Sequence, residues 1–85
     1  MPKYIIELTK KAKKKLDKLP DSIAFQLIET ISQLENNPRP VGNKKLKGRD
    51  GYRVSSGNYR IIYEIIDYKL IIEIIDLGHL RDIYS

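Results

Sequence analysis

The chain lacks the residues that build disulfide frameworks and most protein metal sites. It has no cysteine and a single histidine, His79, among its 85 residues. Without cysteine neither a disulfide nor a thiolate metal site can form, and one histidine makes an all-protein zinc site a poor expectation. The sequence therefore predicts a domain that uses no metal and no other cofactor.

Long apolar runs are also missing. The first eleven residues contain too short an apolar run for a signal-peptide core, and the isoleucine-rich stretches are interrupted by Asp67, Lys69 and Glu73. Neither export nor membrane anchoring is indicated. We therefore expect a cytoplasmic protein with no membrane partner.

Length and composition predict one small folded domain over residues 1–85. Hydrophobic residues make up 41% of the chain and charged residues 32%, which is typical of globular proteins. A chain of this size buries only about 60% of its unfolded surface, so the core is small. No internal repeat or interdomain linker divides it.

Positive charge is concentrated in the first part of the chain. The net charge is +5; residues 1–49 hold 12 Lys and Arg against 5 Asp and Glu, whereas residues 50–85 hold 4 against 6. Clustered cations favour a polyanionic partner such as nucleic acid or the ribosome, because binding releases counterions from phosphates. A solvated lysine-rich helix explains the same charge, and charge alone does not decide between the two.

Hydrophobic periodicity predicts an α+β domain with the order β-α-α-β-β-β. Alternation predicts a strand over residues 3–8, and Thr9 is the expected N-cap of a short lysine-rich helix. Pro20 is expected in the first turn of a second helix. That helix has an apolar stripe consisting of Ile23, Leu27, Ile28, Ile31 and Leu34. The two helices form a hairpin that packs on one face of a sheet.

Three strands are predicted in the second half, over residues 52–55, 59–66 and 70–77. They are rich in Ile and Tyr, and short polar links separate them. Short links imply antiparallel neighbours. The sequence therefore predicts an antiparallel sheet with the helical hairpin on one side.

Two arginines lie within these apolar strands. Arg60 is costly to bury without partners, so it either pairs with a carboxylate, Glu64 or Glu73, or faces a polar concavity. Arg53 is a second cation on the neighbouring strand. Whether Arg53 lies on the same face of the sheet as Arg60 depends on the hairpin register, which the sequence leaves open.

The C-terminal segment places an imidazole, a guanidinium and a phenol close together. His79 is a candidate general acid or base, Arg81 a phosphate clamp, and Tyr84 a proton relay or stacking platform. The alternatives are structural: a histidine after a strand is commonly a hydrogen-bonded cap, and a tyrosine near a chain end can be frayed.

Read in order, several motifs resemble the RelE branch of the RelE/ParE toxin superfamily. They are Leu46-Lys47-Gly48, Tyr52-Arg53, Gly57-Asn58-Tyr59-Arg60-Ile61-Ile62-Tyr63 and Gly78-His79 with Arg81-Asp82-Ile83-Tyr84. The KKLDKLP helix break adds to the resemblance, which spans nearly the whole chain. It implies a cytosolic toxin of a toxin–antitoxin pair that cuts messenger RNA in the ribosomal decoding site.

The resemblance also implies roles for individual residues. Arg53 and Arg60, with Arg81, would stabilise phosphate charge while the RNA 2′-OH attacks, and Tyr84 would orient the nucleophile or relay a proton. His79 is added as a hypothesis. Ribosomal RNA would be held by lysines, namely Lys10, Lys11, Lys13, Lys14, Lys44, Lys45 and Lys47.

The sequence departs from the family pattern at two positions. Ser55 stands where the family often has a second basic residue, and Leu80 stands where Arg commonly follows the Gly-His pair. Reduced activity is therefore one expectation, and a weakened homologue that only binds RNA or antitoxin is an alternative. The other alternative is ParE-like inhibition of DNA gyrase without nuclease activity.

A toxin of this kind implies a neutralising partner. We expect a RelB-like antitoxin, acidic and partly disordered, that folds on the basic surface and forms a hetero-oligomer with the toxin. The ribosome and messenger RNA are the other implied partners.

Overall fold

The computed structural model describes residues 3–48 and 50–82. The elements follow one another as β1 (Ile5–Leu8), α1 (Lys10–Asp17), α2 (Asp21–Gln33), β2 (Lys44–Lys45), β3 (Tyr52–Ser56), β4 (Tyr59–Ile66), a 3-10 turn (Asp67–Lys69) and β5 (Ile71–His79). This order confirms the predicted α+β architecture. β2 is a short strand added before the three predicted ones, and β5 extends two residues beyond its predicted end, so it includes His79.

The five strands form one mixed sheet in the order β1-β5-β4-β3-β2. The pairs β2–β3, β3–β4 and β4–β5 are antiparallel, as expected from the short links between these strands. β1 instead runs parallel to β5, with Ile5 opposite Ile71 and Leu8 opposite Ile74. No short link constrains β1 relative to β5, because both helices and three strands intervene along the chain.

Both helix starts follow from local chemistry. The Thr9 hydroxyl accepts a 3.1 Å hydrogen bond from the Ala12 N–H and donates a 3.0 Å bond to the Ile75 carbonyl. Such a cap contributes about 1 kcal/mol to helix stability. Pro20 is the N-cap residue of α2, one position before the expected one, and its carbonyl accepts the first helical hydrogen bonds.

The helices cover one face of the sheet, called here the helix face. The core between them is made of fully or nearly fully buried side chains: Ala12, Leu27, Ile31, Leu34, Val54, Ile61, Tyr63, Ile72, Ile74 and Leu77. Ile28 was expected in the α2 stripe, but 43% of it is exposed. The prediction was wrong for Ile28 because α2 contacts the sheet through a narrower face, which Leu27, Ile31 and Leu34 fill.

The β3–β4 hairpin has a two-residue loop, Gly57-Asn58, since Ser56 pairs with Tyr59. Gly57 has a φ of +60°, and a positive φ at the first loop position alone is the pattern of a type II′ turn. The backbone twist of this turn matches the twist of the two strands, and the turn fixes their register. In β5 the pairing shifts between Ile62 and Tyr63 of β4, which leaves Ile75 as an extra residue.

In the part of the chain that the structure describes, neither helix combines the length and the apolar character that crossing a bilayer requires.

Candidate functional site

Arg53 and Arg60 lie on the face of the sheet opposite the helices, called here the outer face. Arg53 pairs directly with Ile62, and Ile62 packs with Leu46 and Ile75 in a small cluster separate from the main core. Arg60 is two residues before Ile62 on β4 and therefore points to the same side. The two arginines are diagonal neighbours, for which a separation of about 7 to 8 Å is usual.

Among the described residues, Arg60 has no carboxylate partner. Within residues 3–48 and 50–82 no ion pair joins it to Glu64 or Glu73, the two candidates that the sequence suggested. Its Nε is buried and has no hydrogen-bond partner among these residues. A buried guanidinium nitrogen without a partner is costly, so the hydrogen bonds of the described residues do not explain the position of Arg60.

Lysines extend the positive charge beside Arg53. Lys44 is its cross-strand partner on β2. A cavity of about 460 Å³ opens here, and it is lined by Lys44, Lys45, Leu46, Lys47 and Arg53. Leu46 supplies an apolar base beneath the charged groups. The arrangement suits a phosphate chain, since four cations converge on one open concavity.

The lysines of α1 lie on the other side of the sheet. Ala12 of α1 is buried in the core on the helix face, and the predicted RNA-binding residues Lys10, Lys11, Lys13 and Lys14 are all exposed. The structure therefore divides the predicted lysines into two surfaces. One surrounds Arg53, and the other covers α1.

Lys11 is partly neutralised by Asp76, which also holds Lys15. The Asp76 carboxylate accepts contacts of 3.2 Å from Lys11 Nζ and 2.8 Å from Lys15 Nζ. Burial acts to raise the pKa of Asp76, but hydrogen bonds from Lys15 and Lys11 and from the Leu77 N–H outweigh it, so the pKa lies below its usual value.

His79 does not face Arg53 and Arg60. It pairs with Tyr59 across β4 and β5, and their rings meet edge to face with centroids 5.3 Å apart. Tyr59 packs against the main core, which places both rings on the helix face. The His79 Nδ1 accepts a 3.2 Å hydrogen bond from the Arg81 N–H, so the ring also caps the turn after β5.

The remaining candidates follow β5. Arg81 is exposed in the turn, and Leu80 is fixed beside the β3–β4 hairpin by a 2.7 Å hydrogen bond from its N–H to the Asn58 carbonyl. Tyr84 lies outside the described residues. The structure thus brings together Arg53 and Arg60, places Arg81 at the same end of the sheet, and separates His79 from the arginines by the thickness of the sheet.

Carboxylates occupy the other end of the outer face. Glu7 pairs with Glu73, and Glu73 pairs with Glu64, which forms a row across three strands. None of the three has an ion pair in the described part of the chain. The outer face therefore has a negative end at this row and a positive end at the arginines, and a phosphate group is attracted to the arginine end.

The described residues contain no group of three or more His, Asp or Glu side chains placed to hold a metal ion.

A family model gives the first comparison with known proteins. The model of the ParE toxin of the type II toxin–antitoxin system parDE matches residues 6–84, which is nearly the whole chain. The chain belongs to the ParE toxin family. The wider RelE/ParE superfamily, which the motifs suggested, is thereby confirmed.

Two curated relatives of this ParE-family toxin are named RelE and RelG. The mRNA interferase toxin RelE of Escherichia coli is 29% identical over 77 residues, which cover 88% of this chain and 81% of that protein. Toxin RelG of Mycobacterium tuberculosis is 30% identical over 83 residues, and 95% of each chain is covered.

Solved structures of the superfamily share the fold. The archaeal RelE–RelB complex from Pyrococcus horikoshii matches with a TM-score of 0.80 at 30% identity, covering 93% of this chain and 96% of that one. A RelBE toxin–antitoxin complex from Mycobacterium tuberculosis matches with a TM-score of 0.84 at 27% identity, covering 93% of each chain.

Sequence reasoning missed two properties of the site in this ParE-family toxin. It left the relative faces of Arg53 and Arg60 open, although the Gly57-Asn58 link was short enough to suggest a two-residue hairpin loop and hence a register. It also added His79 to the same catalytic set, because His79 is close in sequence to Arg81 and Tyr84. The last strand was predicted to end at residue 77. Had it been extended to His79, the alternation of side chains along the strand would have placed His79 and the arginines on opposite faces.

Proposed function

We propose that this ParE-family toxin is a ribosome-dependent endoribonuclease that cleaves messenger RNA and so inhibits translation. The observation that carries the proposal is the Arg53–Arg60 pair on the open outer face, with a buried Arg60 Nε that has no hydrogen-bond partner in the described chain. Two adjacent guanidinium groups suit a phosphate whose negative charge increases during reaction.

The chemistry is an attack by the RNA on itself. The 2′-oxygen loses its proton and forms a bond to the adjacent phosphorus. The bond from phosphorus to the 5′-oxygen breaks, and a proton passes to the departing 5′-oxygen. The products are a 2′,3′-cyclic phosphate and a 5′-hydroxyl. Arg53 and Arg60 stabilise the dianionic phosphorane between these states, and no metal is invoked.

Roles for the C-terminal residues complete this scheme. Arg81 adds charge from the turn at the same end of the sheet as Arg60. Tyr84 orients the nucleophile or relays its proton, as the resemblance implies. His79 is left out of the proton transfer, since its ring packs on Tyr59 at the helix face.

RNA binding uses both lysine surfaces. Lys44, Lys45 and Lys47 hold the strand that is cleaved, because they line the same cavity as Arg53. Lys10, Lys13 and Lys14 lie on the opposite side and contact a second RNA segment, which a ribosomal site provides. Lys11 contributes less, since Asp76 already holds it.

An antitoxin is the other partner that we propose. Several matched structures are RelB–RelE complexes, and this chain covers 93% of the Mycobacterium tuberculosis chain and 96% of the Pyrococcus horikoshii chain. A RelB-like protein that masks Arg53 and Arg60 with acidic residues would block RNA binding and form a toxin–antitoxin hetero-oligomer.

Inhibition of DNA gyrase is a second candidate, because the matching family model is described as ParE. Such a toxin would bind a protein target and leave messenger RNA intact. A weakened homologue that binds RNA or antitoxin without cleaving is the third, and the absence of a cation at Ser55 supports it.

Mapping messenger breaks on translating ribosomes tests these functions. The wild-type toxin is expected to cut the messenger, and Arg60→Ala is expected to lower the cleavage rate by about 100- to 1,000-fold, the usual effect of losing one transition-state donor. Lys69→Ala is the matched control, since Lys69 is an exposed cation in the β4–β5 connection. Intact messenger together with trapped gyrase would support the ParE-like activity instead.

A further inference from the structure

A second cavity lies on the helix face, at the end of the sheet that carries Arg60. Its volume is about 240 Å³, and it is lined by Lys15, Lys18, Leu19, Tyr59, Leu77, Gly78, His79 and Asp82. Pockets for whole small molecules usually measure about 300 to 1,000 Å³. This cavity therefore suits one planar group of a larger ligand.

The walls of the cavity are aromatic and apolar. The Tyr59 and His79 rings stand edge to face at 70°, and Leu77 beside them is fully buried. Side chains of this kind are the usual platforms for unstacked RNA bases. Because His79 Nδ1 accepts from the Arg81 N–H, the ring is held in place as part of the wall.

The polar groups at the mouth differ in what they can still bind. Lys15 is engaged by Asp76 at 2.8 Å, whereas Lys18 has no ion pair among the described residues. Asp82 contributes a carboxylate, which accepts hydrogen bonds from amine groups on a base edge. The backbone N–H of Asp82 donates a 2.8 Å hydrogen bond to the His79 carbonyl, and this bond fixes the turn.

The cavity and the outer face meet at the strand end. Tyr59 and Arg60 are consecutive on β4, with their side chains on opposite faces, and their partners on β5 are His79 and Gly78. Gly78, the partner of Arg60, also lines the cavity. For an RNA strand with one phosphate on Arg60, a neighbouring base reaches the cavity by passing around this strand end.

We propose that this cavity binds a single extruded base of the RNA strand held on the outer face, and that it selects bases with an exocyclic amine. The base stacks on the His79 ring, and the Tyr59 ring, at 70° to it, forms a side wall. The amine of the base donates to the Asp82 carboxylate, and Lys18 contacts the adjacent phosphate. Uracil has no such amine and binds less well. The inference rests on the proposed RNA-directed function and gives His79 a binding role.

Binding is tested without cleavage, by NMR titration of the whole ¹⁵N-labelled chain. The probes are the four 5′-mononucleotides and 2′-O-methyl trinucleotides, which lack the attacking hydroxyl. We expect the Gly78 and His79 amides to shift, with adenine, cytosine and guanine nucleotides binding at least fivefold more tightly than the uracil nucleotide. The trinucleotides should bind at least tenfold more tightly than mononucleotides and also shift the Arg60 amide.

Three variants define the site. His79→Ala is expected to weaken binding at least fivefold, in line with the usual loss for a base-stacking side chain, and His79→Phe to restore it. Asp82→Asn is expected to remove the discrimination against uracil. Lys69→Ala, far from the cavity in the β4–β5 connection, should bind like the wild type.

The inference fails if trinucleotides shift only the outer-face amides, if His79→Phe binds as weakly as His79→Ala, or if uracil binds as well as the other bases. None of these results would contradict the proposed cleavage of messenger RNA. A toxin that binds bases here but never cuts messenger RNA would contradict the proposed nuclease and leave the inference standing, so the two failures are distinguishable.

Discussion

Ser55 lies directly opposite Arg60 across the β3–β4 ladder, on the outer face two residues from Arg53. A cation at this position would sit beside the phosphate that the two arginines are proposed to hold. We expect Ser55→Lys to raise the rate of ribosome-dependent cleavage and to steepen the salt dependence of RNA binding. The slope of log K against log salt should increase by about 0.7, the value for one added phosphate contact on a single strand.

Ser55→Ala is the control for this substitution, since it removes the hydroxyl without adding charge. Placing like charges opposite each other should lower the stability of Ser55→Lys by roughly 0.2 to 1 kcal/mol, which thermal unfolding measures. An unchanged salt slope in Ser55→Lys would argue against a phosphate path over Arg60.

The outcome at Arg60 shows what sequence can and cannot predict. Its strand, its face relative to Ile62 and its unfavourable burial all followed from alternation and composition. Whether Arg60 forms an ion pair with Glu64 or Glu73 did not follow, because an ion pair depends on side-chain reach across strands whose register is set by the turn. The same holds for β1, whose parallel pairing with β5 is decided by packing between distant segments rather than by a local pattern.

The Tyr63 hydroxyl ties the loop before β2 to the core. The ring is fully buried, and the hydroxyl donates a 2.8 Å bond to the Pro38 carbonyl and accepts a 3.0 Å bond from Asn43 Nδ2. Tyr63→Phe leaves both partners without this contact and is expected to cost about 1 to 3 kcal/mol. For a domain of this size each kcal/mol lowers the Tm by about 4 to 8 °C.

Calorimetry of Tyr63→Phe beside Tyr68→Phe measures this effect, since 86% of Tyr68 is exposed. We expect the Tyr68 variant to unfold at the wild-type temperature. Equal melting temperatures for all three proteins would show that the loop is not held through Tyr63.

Acid should remove the contribution of Asp76 to stability. Its pKa is lowered in the folded state relative to about 3.9 in an unfolded chain, because the hydrogen bonds from Lys15 and Lys11 outweigh the effect of burial. The stabilisation is therefore present above about pH 4 and is lost as the pH falls through the folded pKa. At neutral pH it should be roughly 1 kcal/mol or less, since both lysines are partly exposed.

Denaturant unfolding of Asp76→Asn from pH 2 to pH 7 checks this linkage. Asn keeps an oxygen that can accept from the Leu77 N–H, as Asp76 Oδ1 does at 2.9 Å, so the variant removes mainly the charge. We expect it to be less stable than the wild type at pH 7 and equally stable near pH 2. A constant difference across this range would exclude the carboxylate charge as the cause.

Gly57 is constrained by its backbone and by a neighbour. A Cβ there would lie 2.7 Å from Gln26 Nε2, which donates to the Ser56 carbonyl at 2.9 Å. At Gly48 φ is +74° but nothing lies within 4 Å of a Cβ. Gly57→Ala should therefore lower the free energy of unfolding by about 1 kcal/mol more than Gly48→Ala does, which is the usual contribution of one hydrogen bond.

Thermal unfolding of the two alanine variants measures this difference. Combining Gly57→Ala with Gln26→Ala should remove the excess cost, because the displaced side chain is then absent. If the excess persists in the double variant, the strain belongs to the turn backbone alone.

The parallel pairing of β1 with β5 also bears on when the toxin can become active during synthesis. β1 is made first, yet its only strand neighbour in the described sheet is the last strand, which also pairs with β4 beside Arg60. Arg60 therefore remains without its β5 partner until that strand has left the ribosome. The chain folds late in its own translation, and a partner already present could bind it before the RNA-binding face is complete.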